Sequence, residues 1–423
     1  MKPAILAAAP LLALGATAIS PAMAGPVDRS AVIATYGDIA QAGYEDSLAA
    51  ARALAAAVDA LVADPGPATH QAAKAAWLAA RVPYQQTEVF RFANAIVDDW
   101  EGRVNAWPLD EGLIDYVDGA GATDENPYGA LNIVASAELT VSGRSIDATT
   151  ISAALIEELH ELDAIEANVT TGYHAIEFLL WGQDLNGTGP GAGARPWTDY
   201  AAGAACTNGH CDRRAQYLTV VTELLIADLA WMAAAWAPGG EARAELAAKG
   251  EDGAIIAMLT GMGSLSYGEQ AGERMKLGLL LNDPEEEHDC FADNTHNSHY
   301  YDGLGIRNVY RGRYVRIDGT VVEGASLADL VTAADAETGA RLAASLDATM
   351  AALGAIKTTA EAGMAYDQML APENAAGGAL IAAAIAALVA QTRDIERAVA
   401  ALSLAPIPFE GSDSLDDPSA VFQ

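Results

Sequence analysis

The chain has 423 residues, with 57 acidic against 23 basic side chains and a formal net charge of −34 at pH 7. So strong a negative charge repels nucleic acid and anionic membranes, and it argues against a function in binding either. It suits solubility, high-salt surroundings or the attraction of cations, although we expect most of these carboxylates to be solvated on helix faces.

Residues 1–24 have the layout of a secretory signal peptide. Lys2 supplies a positive charge, an apolar run follows from Ala4 to Ile19, and small residues precede a cleavage site after Ala24. A membrane anchor is the alternative, but the run is short and is interrupted by Pro10. We therefore expect an exported protein of the periplasm or cell envelope.

Helical periodicity dominates the rest of the chain, and strand-like alternation is rare. A Gly- and Pro-rich segment at 187–196 is the best domain boundary. The sequence therefore predicts an all-α fold of two helical bundles, one over 28–190 and one over 195–410. Amphipathic helices of bundle length are predicted over 31–63, 69–97, 150–181, 213–237, 326–353 and 375–403.

One segment of the second bundle departs from this pattern. Residues 313–323 contain two short β-type runs on either side of Asp318-Gly319, which is a hairpin signal. We therefore expect a small β-hairpin inserted in the second bundle. The same region holds the basic patch of the chain, formed by Arg307, Arg311, Arg313 and Arg316.

The three cysteines suggest one local disulfide. Cys206 and Cys211 are five residues apart, and in an oxidising compartment we expect them to be joined, leaving Cys290 free. The alternative is a metal site that uses His210 between the two cysteines, but this spacing matches no strong zinc pattern.

The sharpest local feature is the sequence Gly172-Tyr-His174-Ala-Ile-Glu177. Residues three apart share a helix face, so the imidazole and the carboxylate can converge on one ion. Imidazole with carboxylate suits iron, zinc or manganese. The alternative is a hydrogen bond between His174 and Glu177 on a polar helix face.

This feature lacks one part of a zinc-peptidase motif. Both His-Glu-x-x-His and His-x-x-Glu-His require a second histidine, and Phe178 follows Glu177 here. The helix needs further ligands from elsewhere in the chain, which counts against a standard zinc peptidase and leaves room for a metal-binding protein.

Acidic residues in two other segments are candidates for a site. Glu88 lies between apolar neighbours, where a carboxylate needs a partner. Asp110 and Glu111 follow the turn at Trp107-Pro108, and solvated turn acids are the alternative there.

The segment 284–302 holds three histidines among several acids, at His288, His296 and His299. It could form a second metal or substrate site. A loop stabilised by its own side-chain hydrogen bonds explains it equally well, and we favour that interpretation slightly.

Four blocks are specific in combination. They are Gly172-x-His174-x-x-Glu177 extended to Asp184, Ala79 to Glu88, Trp107-Pro108-Leu109-Asp110-Glu111, and Glu287-His288-Asp289-Cys290-Phe291-x-Asp293-Asn294-Thr295-His296. Together they resemble the imelysin-like family of bacterial envelope proteins, often called iron-regulated protein A, over roughly residues 30–405.

The resemblance implies an all-helical fold of two bundle-like domains, with a site at Gly172, His174 and Glu177 near the domain junction. It also implies a role in iron uptake or iron-responsive envelope physiology, and the family name carries a metallopeptidase label. By likeness to the related domain of periplasmic iron-uptake proteins, Glu88 and Asp110 are expected to be further ligands.

Three hypotheses follow. The first is an exported, non-catalytic protein of iron acquisition that holds iron or zinc through His174, Glu177, and Glu88 or Asp110. The second is a metallopeptidase in which Glu177 is a ligand or the general base. The third is a ligand- or partner-binding scaffold with a structural His174–Glu177 pair. We expect a monomer that binds a metal ion or small ligand; an envelope-associated protein partner is left open.

Overall fold

A computed structural model describes residues 27–119 and 126–422 of the chain. The expected signal peptide at 1–24 lies outside the described residues. Within them the predicted all-α fold is confirmed, because helices form nearly all of the regular structure and two short hairpins supply the strands.

The helices and strands follow one another along the chain with mostly short connections. In chain order they are α1 (Arg29–Ala63), α2 (Pro67–Gln85), α3 (Ala95–Asn105), α4 (Glu111–Ile114), β1 (Glu138–Val141), β2 (Arg144–Asp147), α5 (Ala153–Leu159), α6 (Gly172–Trp181), α7 (Cys211–Ala235), α8 (Glu241–Ala248), α9 (Gly250–Ser264), α10 (Leu277–Leu281), α11 (Thr295–Arg311), β3 (Arg313–Val315), β4 (Val321–Glu323), α12 (Leu327–Ala334), α13 (Ala336–Glu361), α14 (Tyr366–Leu370), α15 (Ala375–Ala401) and α16 (Asp413–Asp416).

Irregular helices join several of these elements. A π-helical stretch, Leu265–Lys276, connects α9 to α10, and π-helical backbone is frequent at functional sites. Short 3₁₀ helices lie at Glu88–Phe90, Leu162–Ala164, Trp197–Tyr200, Gly203–Ala205, Pro284–Glu286 and Ala420–Phe422.

The core is built from long helices packed side by side. Helix α1 packs against α2 and α7, and α13 packs against α15. One large hydrophobic cluster includes buried residues that precede the segment 187–196 in the chain and buried residues that follow it. A smaller cluster lies between the π-helical stretch, α13, α14 and α15. The division into domains at 190–195 stays a prediction.

Helices α7 and α15 are long and apolar enough to cross a membrane by length and composition alone. Both pack against other helices along a buried face, α7 against α1 and α15 against α13. Packing along a buried face is typical of core helices in a bundle, which can have the same length and composition as helices that cross a membrane.

Three of the predicted helices are interrupted. The helix expected over 150–181 breaks into α5 and α6, because Glu161, Asp163 and Ala164 have positive φ angles of 50°, 57° and 58°. The helix expected over 69–97 ends at Gln85 and resumes at Ala95. The one expected over 326–353 restarts within its span, since the Asp335 carboxylate caps α13 by accepting hydrogen bonds from backbone N–H groups.

The hairpin predicted over 313–323 is confirmed. Strands β3 and β4 are antiparallel and pair Tyr314 with Val322. Its arginines are not a free basic patch, because all four form ion pairs with acidic residues, Arg307 and Arg311 with Asp347, Arg313 with Glu323, and Arg316 with Glu45 and Asp46.

A second hairpin, β1–β2, was not predicted. It turns through Ser142 and Gly143, both with positive φ, as two-residue hairpin turns require. The expected disulfide is confirmed between Cys206 and Cys211, which removes the alternative metal site with His210; Cys290 is a free, buried thiol.

Candidate metal centre

Helix α6 is positioned by its first residue. Gly172 has a φ of +80°, and a Cβ placed on it would lie 2.4 Å from the carbonyl oxygen of Val104 at the end of α3. Only glycine combines this backbone conformation with so close an approach. Every residue of α6 is buried, so the helix brings its side chains into the interior of the protein.

His174 and Glu177 converge as their spacing suggests. His174 Nδ1 lies 3.0 Å from Glu177 Oε2, and both side chains are 0% exposed. The second Glu177 oxygen, Oε1, accepts a hydrogen bond from the backbone N–H of Ala292 at 2.9 Å. His174 Nε2 is buried without a hydrogen-bond partner, so it is the atom of this pair that is available to a ligand.

The neighbours of this pair come from the loop that precedes α11. The rings of His174 and His288 are 4.7 Å apart, and His174 Nδ1 lies 4.0 Å from Asp289 Oδ1. Ligand atoms of His174, His288 and Asp289 all lie within 4.8 Å of one another, and all three residues are buried. Two imidazoles and a carboxylate form a donor set typical of iron and zinc sites.

A buried arginine holds the carboxylate of this cluster. Arg81 Nη2 donates to Asp289 Oδ1 at 2.7 Å, and Asn294 Nδ2 donates to Asp289 Oδ2 at 2.7 Å. Arg81 also donates to Asn105 at 2.6 Å, and the Asn105 amide lies 3.3 Å from His288 Nε2. The orientation of the cluster is therefore fixed by a network of partners beyond it.

Burial and Arg81 set the protonation states. Burial, and next the charge of Arg81, hold the pKa of His174 well below its ordinary value, and burial does the same for the pKa of His288. Burial alone would raise the pKa of Asp289, but the Arg81 charge, together with His174 and the hydrogen bonds from Ser298 and Arg81, holds that pKa low. Neutral imidazoles beside an ionised carboxylate are the forms that bind metals.

Glu177 is shifted in the opposite direction from Asp289. Burial and the nearby Asp289 charge raise its pKa well above the ordinary range. The contact of its Oε2 with Nδ1 makes Glu177 a partner that orients the His174 ring.

A cleft of ≈ 600 Å³ reaches this cluster at His288. Burial and the charge of Glu88 raise the pKa of Glu101 on its wall to about 7. Two arginines and six glutamates contribute to its lining, namely Arg91, Arg274, Glu101, Glu161, Glu166, Glu269, Glu273 and Glu286. The cleft therefore offers a polar, predominantly acidic route towards the histidines.

The structure does not bring the other two expected ligands to His174. Glu88 pairs with Arg274 at 2.8 Å, and Arg274 also binds Glu269 and Asp302. Asp110 precedes α4 and accepts a hydrogen bond from Asn126 at 2.8 Å. The positions beside His174 belong instead to His288 and Asp289.

The sequence offered a partial signal for these two residues. His288 and Asp289 lie in the histidine-rich segment 284–302, which the sequence predicts to be either a separate metal or substrate site or a structural loop. Its other histidines, His296 and His299, lie on α11 and are not part of the cluster around His174 among the described residues. The spacing along the chain did not reveal that this loop folds onto α6.

The fold and the site together define an all-helical protein whose histidines and carboxylates meet in a buried cluster. The family model for imelysin matches residues 40–395, and the chain belongs to this family. A crystal structure from Parabacteroides distasonis ATCC 8503, described as that of an iron-regulated protein A precursor, is similar in fold. The comparison of the two structures gives a TM-score of 0.63 at 19% sequence identity, and it covers 90% of this chain and 97% of that one. No curated protein matches the chain.

Proposed function

We propose that this imelysin-family chain is an exported, non-catalytic metal-binding protein that serves iron acquisition or an iron-responsive function of the cell envelope. The observation that carries the proposal is the buried, unpartnered Nε2 of His174 beside His288 and Asp289. These three residues would hold iron or zinc, and Glu177 would orient the His174 ring through Nδ1.

The role in iron physiology is supported by two further features. The similar protein from Parabacteroides distasonis is described as iron-regulated. The acidic surface and the glutamates of the cleft would raise the local concentration of cations near the centre. The export step rests on the signal-peptide pattern at the N-terminus.

Burial of the cluster supports binding over catalysis. A catalytic metal keeps an open position for water or substrate, whereas His174, Glu177 and Asp289 are fully buried. The second histidine of a zinc peptidase is replaced by Phe178, which packs against Phe291. The donor set is therefore better suited to holding an ion than to presenting it to a peptide.

Metal titration of the chelator-treated mature protein tests this proposal. We expect binding of Fe²⁺ under anaerobic conditions or of Zn²⁺. Affinity should fall roughly 100-fold or more in His174→Ala and about 10- to 100-fold in Glu177→Ala, because the first change removes a donor and the second removes the group that orients it. Isothermal titration calorimetry measures both.

The exposed His210, replaced by alanine, is the matched control and should leave the affinity unchanged. Equal affinity in all variants would overturn the centre. A crystal structure grown with zinc that keeps the direct His174–Glu177 bond, with no ion beside it, would show a structural pair instead.

A metallopeptidase is the second candidate, and the observation that favours it is the cleft that leads to His288. In that case Glu177 would be a ligand or the general base for a metal-bound water. Peptide cleavage that a chelator abolishes and that Glu177→Ala removes would establish it. Cleavage that survives in Glu177→Ala would point to a contaminant.

A further inference from the structure

A second cluster of carboxylates lies on the other side of the loop that carries His288. Asp184 follows α6, Asp293 precedes α11, and Asp367 lies in α14. One carboxylate oxygen from each lies within 4.8 Å of the others. The buried Glu287 lines the same small cavity as Asp184 and Asp367. Three aspartates from distant segments thus converge, and Glu287 lies beside them.

These acids lack the positively charged partners that buried charges require, and only the half-buried Asp184 has well-formed hydrogen bonds, both from Asn186. Asp367 is 2% exposed and Glu287 is 1% exposed, yet neither carboxyl group has a hydrogen bond of good geometry. The nearest donors, the Thr295 hydroxyl for Glu287 and the backbone N–H of Gln368 for Asp367, are neutral and do not balance the charges. Asp293 Oδ1 is unpartnered as well. No ion pair within residues 27–119 and 126–422 includes any of the four acids. Buried carboxylates are costly unless they are paired or coordinate a cation.

Mutual repulsion adds to the cost of burial. Burial and the charge of Asp367 raise the pKa of Asp293 to about 7. Burial raises the pKa of Asp367 to about 6, with Asp184 contributing in the same direction. A bound cation would relieve both the burial and the repulsion.

We infer that Asp184, Asp293, Asp367 and Glu287 form a second cation site, which takes Ca²⁺. The donors are all carboxylate oxygens, which hard cations prefer. Ca²⁺ accepts many oxygen ligands in irregular geometry, whereas Mg²⁺ requires a near-ideal octahedron and usually keeps several waters. The cavity between Asp184, Glu287 and Asp367 measures ≈ 10 Å³, which matches a single small occupant.

This site is separate from the histidine centre, although the same loop serves both. Glu287 lines the acidic cavity, while His288 packs against the His174 ring. The Ca²⁺ site contains no imidazole, so the inference does not depend on the proposed function.

Thermal unfolding of the mature protein, with and without chelator, tests the inference. We expect CaCl₂ at about 1 mM to raise the Tm by at least about 3 °C over the chelated protein, because the ion binds only the folded chain. MgCl₂ should give a smaller rise. No response to Ca²⁺ by thermal shift and calorimetry, or an equal response to Mg²⁺, would overturn the assignment.

Asp367→Asn separates a ligand from a merely structural residue. The variant should have an unchanged or higher Tm in chelator, because a repelling buried acid is removed, and its Ca²⁺ affinity should fall at least about tenfold. A lower Tm with an intact Ca²⁺ response would contradict the site. Asp184→Asn, at a half-buried position, should weaken Ca²⁺ binding without affecting folding.

Two further variants serve as controls. The exposed Asp118, replaced by asparagine, should keep the full Ca²⁺ response. His174→Gln should also keep the full Ca²⁺ response. Asp367→Asn should keep the Fe²⁺ or Zn²⁺ affinity of the histidine centre, so the two proposed sites can be tested independently of each other. The Cys290 thiol lines the same cavity and is a soft ligand, which zinc binds well. If Zn²⁺ raises the Tm and Asp367→Asn abolishes that rise, the site is a zinc site and the assignment of Ca²⁺ is overturned.

Discussion

His70 illustrates how burial acts on a single side chain in this protein. It lies on α2, and its Nε2 is 2.8 Å from the carbonyl oxygen of Leu180 at the end of α6. Burial, and next the charge of Lys74, lower its pKa to about 4. Arg195 acts in the same direction, whereas Asp199 opposes it. The imidazole is therefore neutral in the folded protein at neutral pH.

This shift makes stability depend on pH. The unfolded chain protonates His70 below its ordinary value of 6.5, whereas the folded chain does so only near 4. The stabilisation of the folded protein by the neutral His70 is thus complete above pH 6.5 and is lost as the pH falls towards 4. In His70→Gln, which can still donate to Leu180, the slope of unfolding free energy against pH should be smaller by up to about 1.4 kcal/mol per pH unit.

Denaturant unfolding at several pH values within this window measures the slope. His210→Gln, at an exposed position, is the matched control. A slope that is the same in His70→Gln as in the parent protein would show that His70 is protonated alike in both states.

Pairs within one helix were easier to predict than pairs across the fold. His174 and Glu177 are three residues apart, so helix geometry alone brings them together. Asp289 is more than a hundred residues away, and its partner Arg81 is 208 residues from it. Nothing local in the sequence encodes such pairs, and the ion pair of Glu88 with the equally remote Arg274 could not be predicted for the same reason.

Helix α6 depends on a backbone position that only glycine fits. Gly172 starts the helix with a positive φ while touching the end of α3. The role of this glycine in the Gly-x-His-x-x-Glu pattern is therefore conformational. It sets where the helix begins, and so where His174 and Glu177 lie two and five residues later.

Replacing Gly172 by alanine should destabilise the protein by about 2–4 kcal/mol, from the positive φ and the contact with the Val104 carbonyl together. Gly143 in the β1–β2 turn is a matched control, since its φ is +76° and a Cβ there would meet nothing within 4 Å. Gly143→Ala should cost only about 1–2 kcal/mol. Urea unfolding compares the two, and equal losses would argue against the Val104 contact.

Long elements were predicted better than short ones. Helices α1, α7 and α15 have bounds within a few residues of their predicted ranges, because a long periodic pattern outweighs local exceptions. The break between α5 and α6 was missed, since it depends on Glu161, Asp163 and Ala164 adopting positive φ, which these residue types rarely do. The hairpin at Asp318-Gly319 was found and the one at Ser142-Gly143 was not, because only the first has a strong turn dipeptide.

The net charge of −34 acts on the molecule as a whole. Like charges on a compact surface repel one another, and this repulsion favours the expanded, unfolded chain. Mobile ions screen the repulsion over a distance that shortens as the salt concentration rises. Ionic strength is therefore a direct control on the stability of this protein.

Raising NaCl from about 10 mM to about 300 mM, with chelator present to remove divalent ions, should increase the Tm by a few °C. The effect should vanish near the isoelectric point of ≈ 4.3, where the net charge approaches zero. Scanning calorimetry at the two salt concentrations measures it. A Tm that falls with salt near neutral pH would mean that attractive ion pairs outweigh the repulsion.

The loop before α11 carries a constraint of length. Glu287 and His288 are adjacent in the chain, yet Glu287 lines the acidic cavity and His288 packs against the His174 ring. Inserting or deleting one residue just before them would shift both side chains away from these positions. A substitution changes one side chain and leaves its neighbours at their places along the loop. The length of the loop therefore keeps the cluster of His174, His288 and Asp289 apart from the cluster that contains carboxylates alone.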